Sequence, residues 1–96
     1  MTILHRYAIR CPSTGHYLPD PGPRGVSHVE PAPIDRDVGV KLYRTERGAR
    51  NAIVQWKRGR AVNQQDEFGD PYVEVIPEPH RARRELNAVL VEIHLP

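Results

Sequence analysis

The sequence predicts an α+β fold in which a single antiparallel β-sheet of about five strands carries one amphipathic helix on one face. Three observations lead to this class. Several segments alternate between apolar and polar residues, as half-buried strands do. Residues 45–58 have the apolar spacing of a helix, and Pro- and Gly-containing segments separate these elements. The predicted order is β-β-β-α-β-β, and the 96 residues form one small domain, 1–96, because so short a chain cannot bury a second core.

Three strands are predicted before the helix. Residues 3–11 alternate and include Ile and Tyr, which are enriched in strands. The segment 12–15 then predicts a hairpin turn, because Gly15 can take the positive φ that a tight turn needs. Residues 16–18 form the short return strand, and residues 38–44 form the third strand.

A proline-rich loop is predicted over residues 20–37. The chain contains 10 Pro among its 96 residues, which is twice the usual share of about 5%. A loop of this length in so small a domain is either functional or loosely ordered. Loose order is the favoured interpretation.

The helix over residues 45–58 is the clearest predicted element. Thr45 is a suitable N-cap, and Glu46 lies in the first turn, where the helix dipole favours an anion. Gly59 follows the last turn and can end the helix as its C′ residue. One apolar stripe must bury against the sheet, and it consists of Ala49, Ala52, Ile53 and Trp56.

Two further strands are predicted after the helix. Residues 61–71 are polar and are interpreted as a loop. Residues 72–76 and 88–95 alternate and are interpreted as strands. Residues 80–87 are ambiguous, since they fit either one helical turn or one arm of a hairpin.

Charge is unevenly distributed along the chain. The net charge is only +2 at pH 7. However, residues 41–60 contain seven basic residues and one acidic residue, whereas residues 61–80 contain five acidic residues and no Lys or Arg. A strongly basic block therefore precedes a strongly acidic one.

No pattern in the sequence predicts catalysis or a cofactor. Cys11 is the single cysteine, and it is interpreted as a small apolar residue at a strand end rather than as a nucleophile. The five His lack the close spacings of a metal site. No Gly-rich turn opens the helix to cradle a phosphate. We therefore expect a protein that is not an enzyme and that holds no metal or cofactor.

The basic side of the predicted helix is the candidate binding site. A row of cations on a rigid element can neutralise nucleic-acid phosphates or dock an acidic protein. Two simpler interpretations remain open: the row is only a solvated helix face, or the acidic segment 66–78 folds over it and neutralises it. The candidate residues are Arg44, Arg47, Arg50, Lys57 and Arg58.

Two segments, 7–19 and 42–59, carry a resemblance to a known group of proteins. The first contains Ile-Arg followed by Thr-Gly-His-Tyr-Leu-Pro, and the second contains Leu-Tyr-Arg-Thr followed by two alanines, Trp and Gly. With a Val-Glu-Val-Ile-Pro segment at 73–77, the chain resembles small uncharacterised proteins encoded by tailed bacteriophages and prophages. The resemblance implies an accessory protein that binds and modulates a macromolecule, and it assigns no catalytic or binding residues.

The sequence therefore predicts a non-enzymatic, phage-encoded accessory protein that binds a host or phage macromolecule, with a protein as the favoured partner. One alternative is a nucleic-acid-binding protein that uses the basic face of helix 45–58. Another is a structural or assembly component of the phage.

The chain is expected in the bacterial cytoplasm, as a monomer or a dimer. No apolar run reaches the roughly 18–20 residues of a membrane span, and residues 1–6 are too short and polar for a signal peptide. An unpaired edge at 16–18 or 72–76 could pair with a second copy.

Overall fold

Four strands and two helices form the fold over residues 2–96, which are the residues that the structure, a computed structural model, describes. In chain order they are β1 (Thr2–Arg10), α1 (Glu46–Arg58), β2 (Arg60–Gln65), β3 (Pro71–Ile76), α2 (Pro79–Ala82) and β4 (Asn87–Leu95). Two short 3₁₀ turns, Gly22–Arg24 and Val26–His28, lie between β1 and α1. The predicted α+β class is confirmed.

The strands pair into two separate sheets of two strands each. β1 and β4 are antiparallel along their whole length, so that Thr2 faces Leu95 and Arg10 faces Asn87. β2 and β3 form a second antiparallel pair. The antiparallel arrangement is confirmed, but the prediction of a single sheet of five strands in the order β-β-β-α-β-β is wrong.

Three of the predicted strands are confirmed, with ends that differ by one residue. Residues 3–11 correspond to β1, residues 72–76 to β3 and residues 88–95 to β4. The ambiguous segment 80–87 contributes to α2, a single helical turn, and then leads into β4.

The predicted strands 16–18 and 38–44 are reduced to isolated bridges. Pro19 has no N–H with which to extend a ladder. Gly39 has a φ of 74°, which takes the backbone out of the extended conformation. Only Tyr43, near the end of the second segment, exchanges two 2.8 Å backbone hydrogen bonds with β1. Backbone geometry therefore overrides the alternation of the side chains.

The prediction of a loop over residues 61–71 is wrong, because this segment contains most of β2 and the turn to β3. The polar run Asn63–Gln65 shows no apolar alternation, since the hairpin lies largely in solvent and packs neither face fully on the core. Its ladder with β3 holds it extended. The turn is closed by Asp66, whose Oδ1 accepts 2.9 Å hydrogen bonds from the N–H groups of Phe68 and Asp70.

The predicted helix and both of its ends are confirmed in α1. Thr45 is extended, and its Oγ1 accepts a 3.0 Å hydrogen bond from Gly48 N. At the other end Gly59 has a φ of 127° and donates its N–H to Trp56 O. A Cβ on Gly59 would lie 2.1 Å from Ile76 O, so only glycine allows β2 to start beside the end of β3.

The core lies between α1 and the β1–β4 sheet. The predicted apolar stripe of α1 is buried, and its central residue, Trp56, has no exposed surface. The stripe packs with side chains from β1 and from the segments that follow β1 and α2. The buried apolar cluster consists of Ile9, Cys11, Leu18, Ala49, Ala52, Ile53, Trp56 and Leu86.

A buried arginine links α2 to α1 and to the proline-rich segment. Arg81 is 2% exposed, and its guanidinium stacks 4.5 Å from the Trp56 ring centroid. It donates hydrogen bonds to Glu30 Oε1 (3.0 Å), Ser27 O (2.9 Å) and Trp56 O (3.2 Å). The indole N–H of Trp56 donates to Val29 O at 2.8 Å. One charged side chain thus supplies a donor to Ser27 O and a second donor to Trp56 O, which also accepts the Gly59 N–H.

The β2–β3 hairpin is fastened to the rest of the molecule at its base. Ala61 N donates to Ser27 Oγ at 3.1 Å, and Ala61 O lies 2.7 Å from His28 Nε2. Both partners belong to the segment 20–37, which therefore carries ordered contacts to β2. We call residues 60–76 the arm.

The molecule is elongated, and the arm is almost wholly exposed. Its extents are 55 × 29 × 26 Å and its radius of gyration is 15.2 Å, whereas a compact chain of this length has a radius near 12–13 Å. Every residue from 65 to 75 is exposed. The arm therefore extends from the core into solvent.

Candidate functional site

The five basic residues named from the sequence lie on or beside α1. We call this set the basic face: Arg44, Arg47, Arg50, Lys57 and Arg58. All are exposed except Lys57, which is half-buried. At about 100° per residue, those on the helix occupy the side away from the core, with Val54 at the centre. Val54 is 51% exposed, so the face combines positive charge with an apolar centre.

Most of the basic face is electrostatically unpaired. Arg50 forms an i,i+4 ion pair with Glu46, but the two side chains are 71% and 45% exposed, so water weakens the pair. Within residues 2–96, no carboxylate forms an ion pair with the other four members of the face. Their positive charge is therefore available to a partner.

The acidic segment 66–78 forms no ion pair with the basic face in the described part of the chain. It lies on the arm, where Asp66 closes the turn. Glu78 pairs at 3.1 Å with Arg60, at the base of the arm. The sequence left open whether this segment neutralises the helix; the ion pair that it forms within residues 2–96 is with Arg60, which lies outside the basic face.

The arm carries four of the exposed large apolar side chains of the described chain. Phe68, in its turn, is 81% exposed, and Val73 is 62% exposed. Tyr72 and Val75 are 48% and 47% exposed. Val73 and Val75 share one face of β3, and Tyr72 lies on the other. Exposed apolar side chains grouped on one face of a domain can mark an interaction site.

The outer edge of β3 presents free backbone groups. Ala61 directs its N–H and C=O away from β3, to Ser27 and His28, so Ala61 and its facing residue Val75 form a non-hydrogen-bonded pair. By the same alternation Val73 also directs its N–H and C=O outward. No backbone group in residues 2–96 bonds to this edge, so a further strand can add to it.

A cleft of about 500 Å³ lies along the proline-rich loop. Ile34 and Val38, two of its lining residues, are 69% and 51% exposed. The Asp35 side chain accepts a hydrogen bond from Asp37 N, and the Asp35 carbonyl oxygen accepts one from Gly39 N. These bonds shape the loop, whose Asp35 and Arg36 line the cleft together with its apolar residues.

Cys11 is chemically unusual but inaccessible. Burial by itself raises the pKa of its thiol, but hydrogen bonds from Ser13, Thr14 and Arg84 lower it more, from 9.0 to about 6. A thiolate is the nucleophilic form of cysteine. The side chain has no exposed surface, so no substrate reaches it, and we assign it a structural role.

Residues 2–96 contain neither a cluster of metal ligands nor a membrane-spanning helix. No three side chains of His, Cys, Asp or Glu lie close enough together to hold a metal ion. Neither helix has the length and apolar composition needed to cross a bilayer.

Sequence reasoning missed two features that bear on function. The sequence predicts a polar loop and a separate strand where the structure has the arm, although it shows the acidic charge of the segment 61–80. Nothing in the sequence distinguishes Arg81 from its neighbours Arg83 and Arg84. The structure buries Arg81, exposes Arg83 and leaves Arg84 half-buried beside Cys11. The Pro and Gly residues that flank 61–76 are the one available signal for a hairpin.

Comparison of the chain with protein-family models, with curated proteins and with solved structures finds no match.

Proposed function

We propose that this chain is a non-enzymatic accessory protein, of the phage type that its sequence resembles, and that it binds another protein through the arm. The observation that carries the proposal is the exposure of the apolar side chains on the arm beside the free edge of β3, where Val73 and Val75 share one face. The partner contributes an extended segment that pairs with this edge. Its side chains cover the valines.

Strand addition explains why the arm is a hairpin in solvent. A two-stranded hairpin without a packed face is only marginally stable in water. A third strand supplies hydrogen bonds to the outward groups of Val73 and Val75 and buries their side chains. A protein strand therefore completes the arm, because a nucleic acid lacks the peptide N–H and C=O groups that extend a β-ladder.

Charge also favours a protein over a nucleic acid at the arm. The segment 61–80 contains five acidic residues and no Lys or Arg, so it repels phosphates. A partner strand that carries Lys or Arg complements it. The basic face is a separate contact, suited to an acidic surface on the same partner.

The proposal is tested by site-specific photo-cross-linking in bacterial cells. A photoreactive phenylalanine analogue replaces Tyr72 on the arm or, as a control, the exposed Arg83 at the end of α2. We expect a discrete protein adduct, resistant to nuclease, at position 72 only. Equal adducts at both positions, or none at position 72, would contradict the proposal.

A pair of variants links the adduct to the apolar surface. Val73→Thr with Val75→Thr keeps the β-branched shape that suits a strand but removes apolar contact area, so the adduct at position 72 should weaken several-fold. Val38→Thr is the matched control, since Val38 is 51% exposed and lies outside the arm. It should leave the adduct unchanged.

Nucleic-acid binding is the second candidate, and the unpaired cations of the basic face favour it. It predicts binding to a duplex oligonucleotide that weakens with salt. The triple variant Arg47→Gln, Arg50→Gln and Arg58→Gln should lower the salt slope by about 3. Arg83→Gln serves as the control for loss of one exposed charge. A slope that is the same in the triple variant and the wild type would exclude this face as the contact.

A further inference from the structure

The outer edge of β4 is a second free strand edge, distinct from the arm. β1 has no free edge, because the edge that faces away from β4 forms backbone hydrogen bonds with neighbouring segments. Tyr7 exchanges backbone hydrogen bonds with Tyr43, and Ile9 O accepts the N–H of Leu18. β4 pairs only with β1 among residues 2–96. One side of a nine-residue strand is therefore unpaired.

The hydrogen bonds of β1 show which groups of β4 point outward. Tyr7 and Ile9 direct their backbone groups away from β4, and they face Leu90 and Ala88. In an antiparallel ladder such pairs are the non-hydrogen-bonded ones, so their partners also direct N–H and C=O outward. Continuing this alternation along the strand, the outward residues of β4 are Ala88, Leu90, Glu92 and His94.

This edge has few of the features that normally prevent strand pairing. Natural edges are short, bulged, or carry Pro or Lys. β4 has none of these within its pairing with β1. Leu90, at its middle, is 55% exposed. The edge is thus a template for another strand.

We propose that a second copy of this chain pairs its β4 with this edge, antiparallel, with Val91 on the two-fold axis. In that register all four outward residues of each strand find hydrogen-bonded partners, Ala88 opposite His94 and Leu90 opposite Glu92. A shift of the axis to position 90 or 92 leaves outward groups unpaired. The self-pairing thus has one register that satisfies the whole edge, and it produces a four-stranded sheet.

The same register also places apolar side chains opposite one another. On the sheet face away from α1, Val91 faces Val91 of the second copy, and Val89 faces Ile93. These side chains are half-buried in one copy. Each β-branched cross-strand pair contributes about 0.2–1 kcal/mol in addition to the ladder bonds, so the pairing buries side chains as well as backbone.

Charge complementarity supports the second copy as the occupant. A groove of about 520 Å³ runs between α1 and β4 and is lined by Arg50 and Ala88, among others. Ala88 packs toward the core, so Glu92 lies on the same face of β4. In the proposed register Glu92 of the second copy is diagonal to Ala88 and faces the groove beside Arg50. The two Glu92 side chains are diagonal to each other, and Arg50 of each copy is the cation beside them.

Disulfide trapping tests the register. Val91→Cys places two thiols in a non-hydrogen-bonded pair on the axis, where the Cα separation of about 4.5 Å fits a disulfide. Ile93→Cys is the matched control on the same face, since its two copies lie four residues apart along the strands, roughly 13 Å. The native Cys11 is buried. We expect mild oxidation to cross-link the Val91→Cys variant about tenfold faster, or more, than the Ile93→Cys variant.

Light scattering on the unmodified chain provides the second readout. The expected mass is twice 11.0 kDa. Leu90→Pro removes an outward N–H without breaking the β1 ladder, so it should give a folded monomer, whereas Leu90→Thr should remain a dimer. Equal cross-linking of the two cysteine variants, or a wild-type monomer at every concentration, would overturn the proposal. Because the arm plays no part in this pairing, failure here leaves the proposed function untouched.

Discussion

At the scale of single residues, two buried polar side chains play opposite parts. Arg81 has its guanidinium matched by hydrogen-bond acceptors and by the Trp56 ring. Tyr43 has a buried hydroxyl without a hydrogen-bond partner among residues 2–96, and burial raises its pKa. Burial of a polar group stabilises the fold only when partners replace the lost water.

Loss of Arg81 should therefore be severe. Arg81→Met removes the charge-assisted bonds and takes a donor from Ser27 O, while Trp56 O keeps the Gly59 N–H and Glu30 keeps the His80 ring nitrogen. We expect a loss of about 2–3 kcal/mol in the free energy of unfolding. Urea unfolding measures it. Arg83→Met, at an exposed neighbour, should change the free energy by less than about 0.5 kcal/mol. Equal effects of the two substitutions would contradict the role given to Arg81.

Loss of the Tyr43 hydroxyl should have the opposite sign. Tyr43→Phe removes a buried donor that has no acceptor, so the protein should become more stable by about 1 kcal/mol. Thermal unfolding is the measurement. Tyr72→Phe is the control, because the Tyr72 side chain is 48% exposed and its hydroxyl is hydrated. A destabilised Tyr43→Phe variant would show that the hydroxyl has a partner in solution.

At the scale of elements, the junction between α1 and the arm sets where the arm begins. Gly59 ends the helix with a positive φ, and its Cα lies against the backbone of Ile76 and Pro77. The end of α1, the start of β2 and the end of β3 therefore meet at one point. A side chain at this point displaces the arm relative to the core.

Gly59→Ala should consequently destabilise the chain more than a positive φ alone explains. Gly69, in the turn of the arm, has a φ of 82° and nothing within 4 Å of an added Cβ. Gly69→Ala costs about 1–2 kcal/mol for the left-handed backbone, and Gly59→Ala should cost more because of the backbone contact at 2.1 Å. Urea unfolding of both variants measures the two losses in the free energy of unfolding. Equal losses would show that the junction has room.

The helix was predictable because its signals are local. Thr45, Glu46 and Gly59 act within one turn of the chain, and the spacing of Trp56 and its neighbours follows the helical period. β2 was not predictable from alternation, because its side chains contact solvent and only its ladder with β3 keeps it extended. The residues of the candidate basic face could be predicted from the sequence. The lack of ion pairs between this face and the acidic segment could not, because it depends on the direction in which the arm leaves the core.

At the scale of the whole molecule, the basic face and the acidic arm lie in different parts of the structure. The basic face lies on the core, and the acidic arm extends away from it within a molecule 55 Å long. Self-pairing through β4 would join two cores and leave both arms free. A dimer of this form presents two arms to a partner, which increases the effective concentration of the second contact once the first has formed.

The most direct test of the account is amide hydrogen exchange at the edge of β3. The N–H groups of Val73 and Val75 point outward and should exchange quickly in buffer, as solvated backbone does. In nuclease-treated bacterial lysate that contains the partner, we expect both to become protected, while Asn63, which points outward from the opposite edge of the arm, keeps its rate. Exchange at Val73 and Val75 that is as fast in lysate as in buffer would contradict strand addition at the arm.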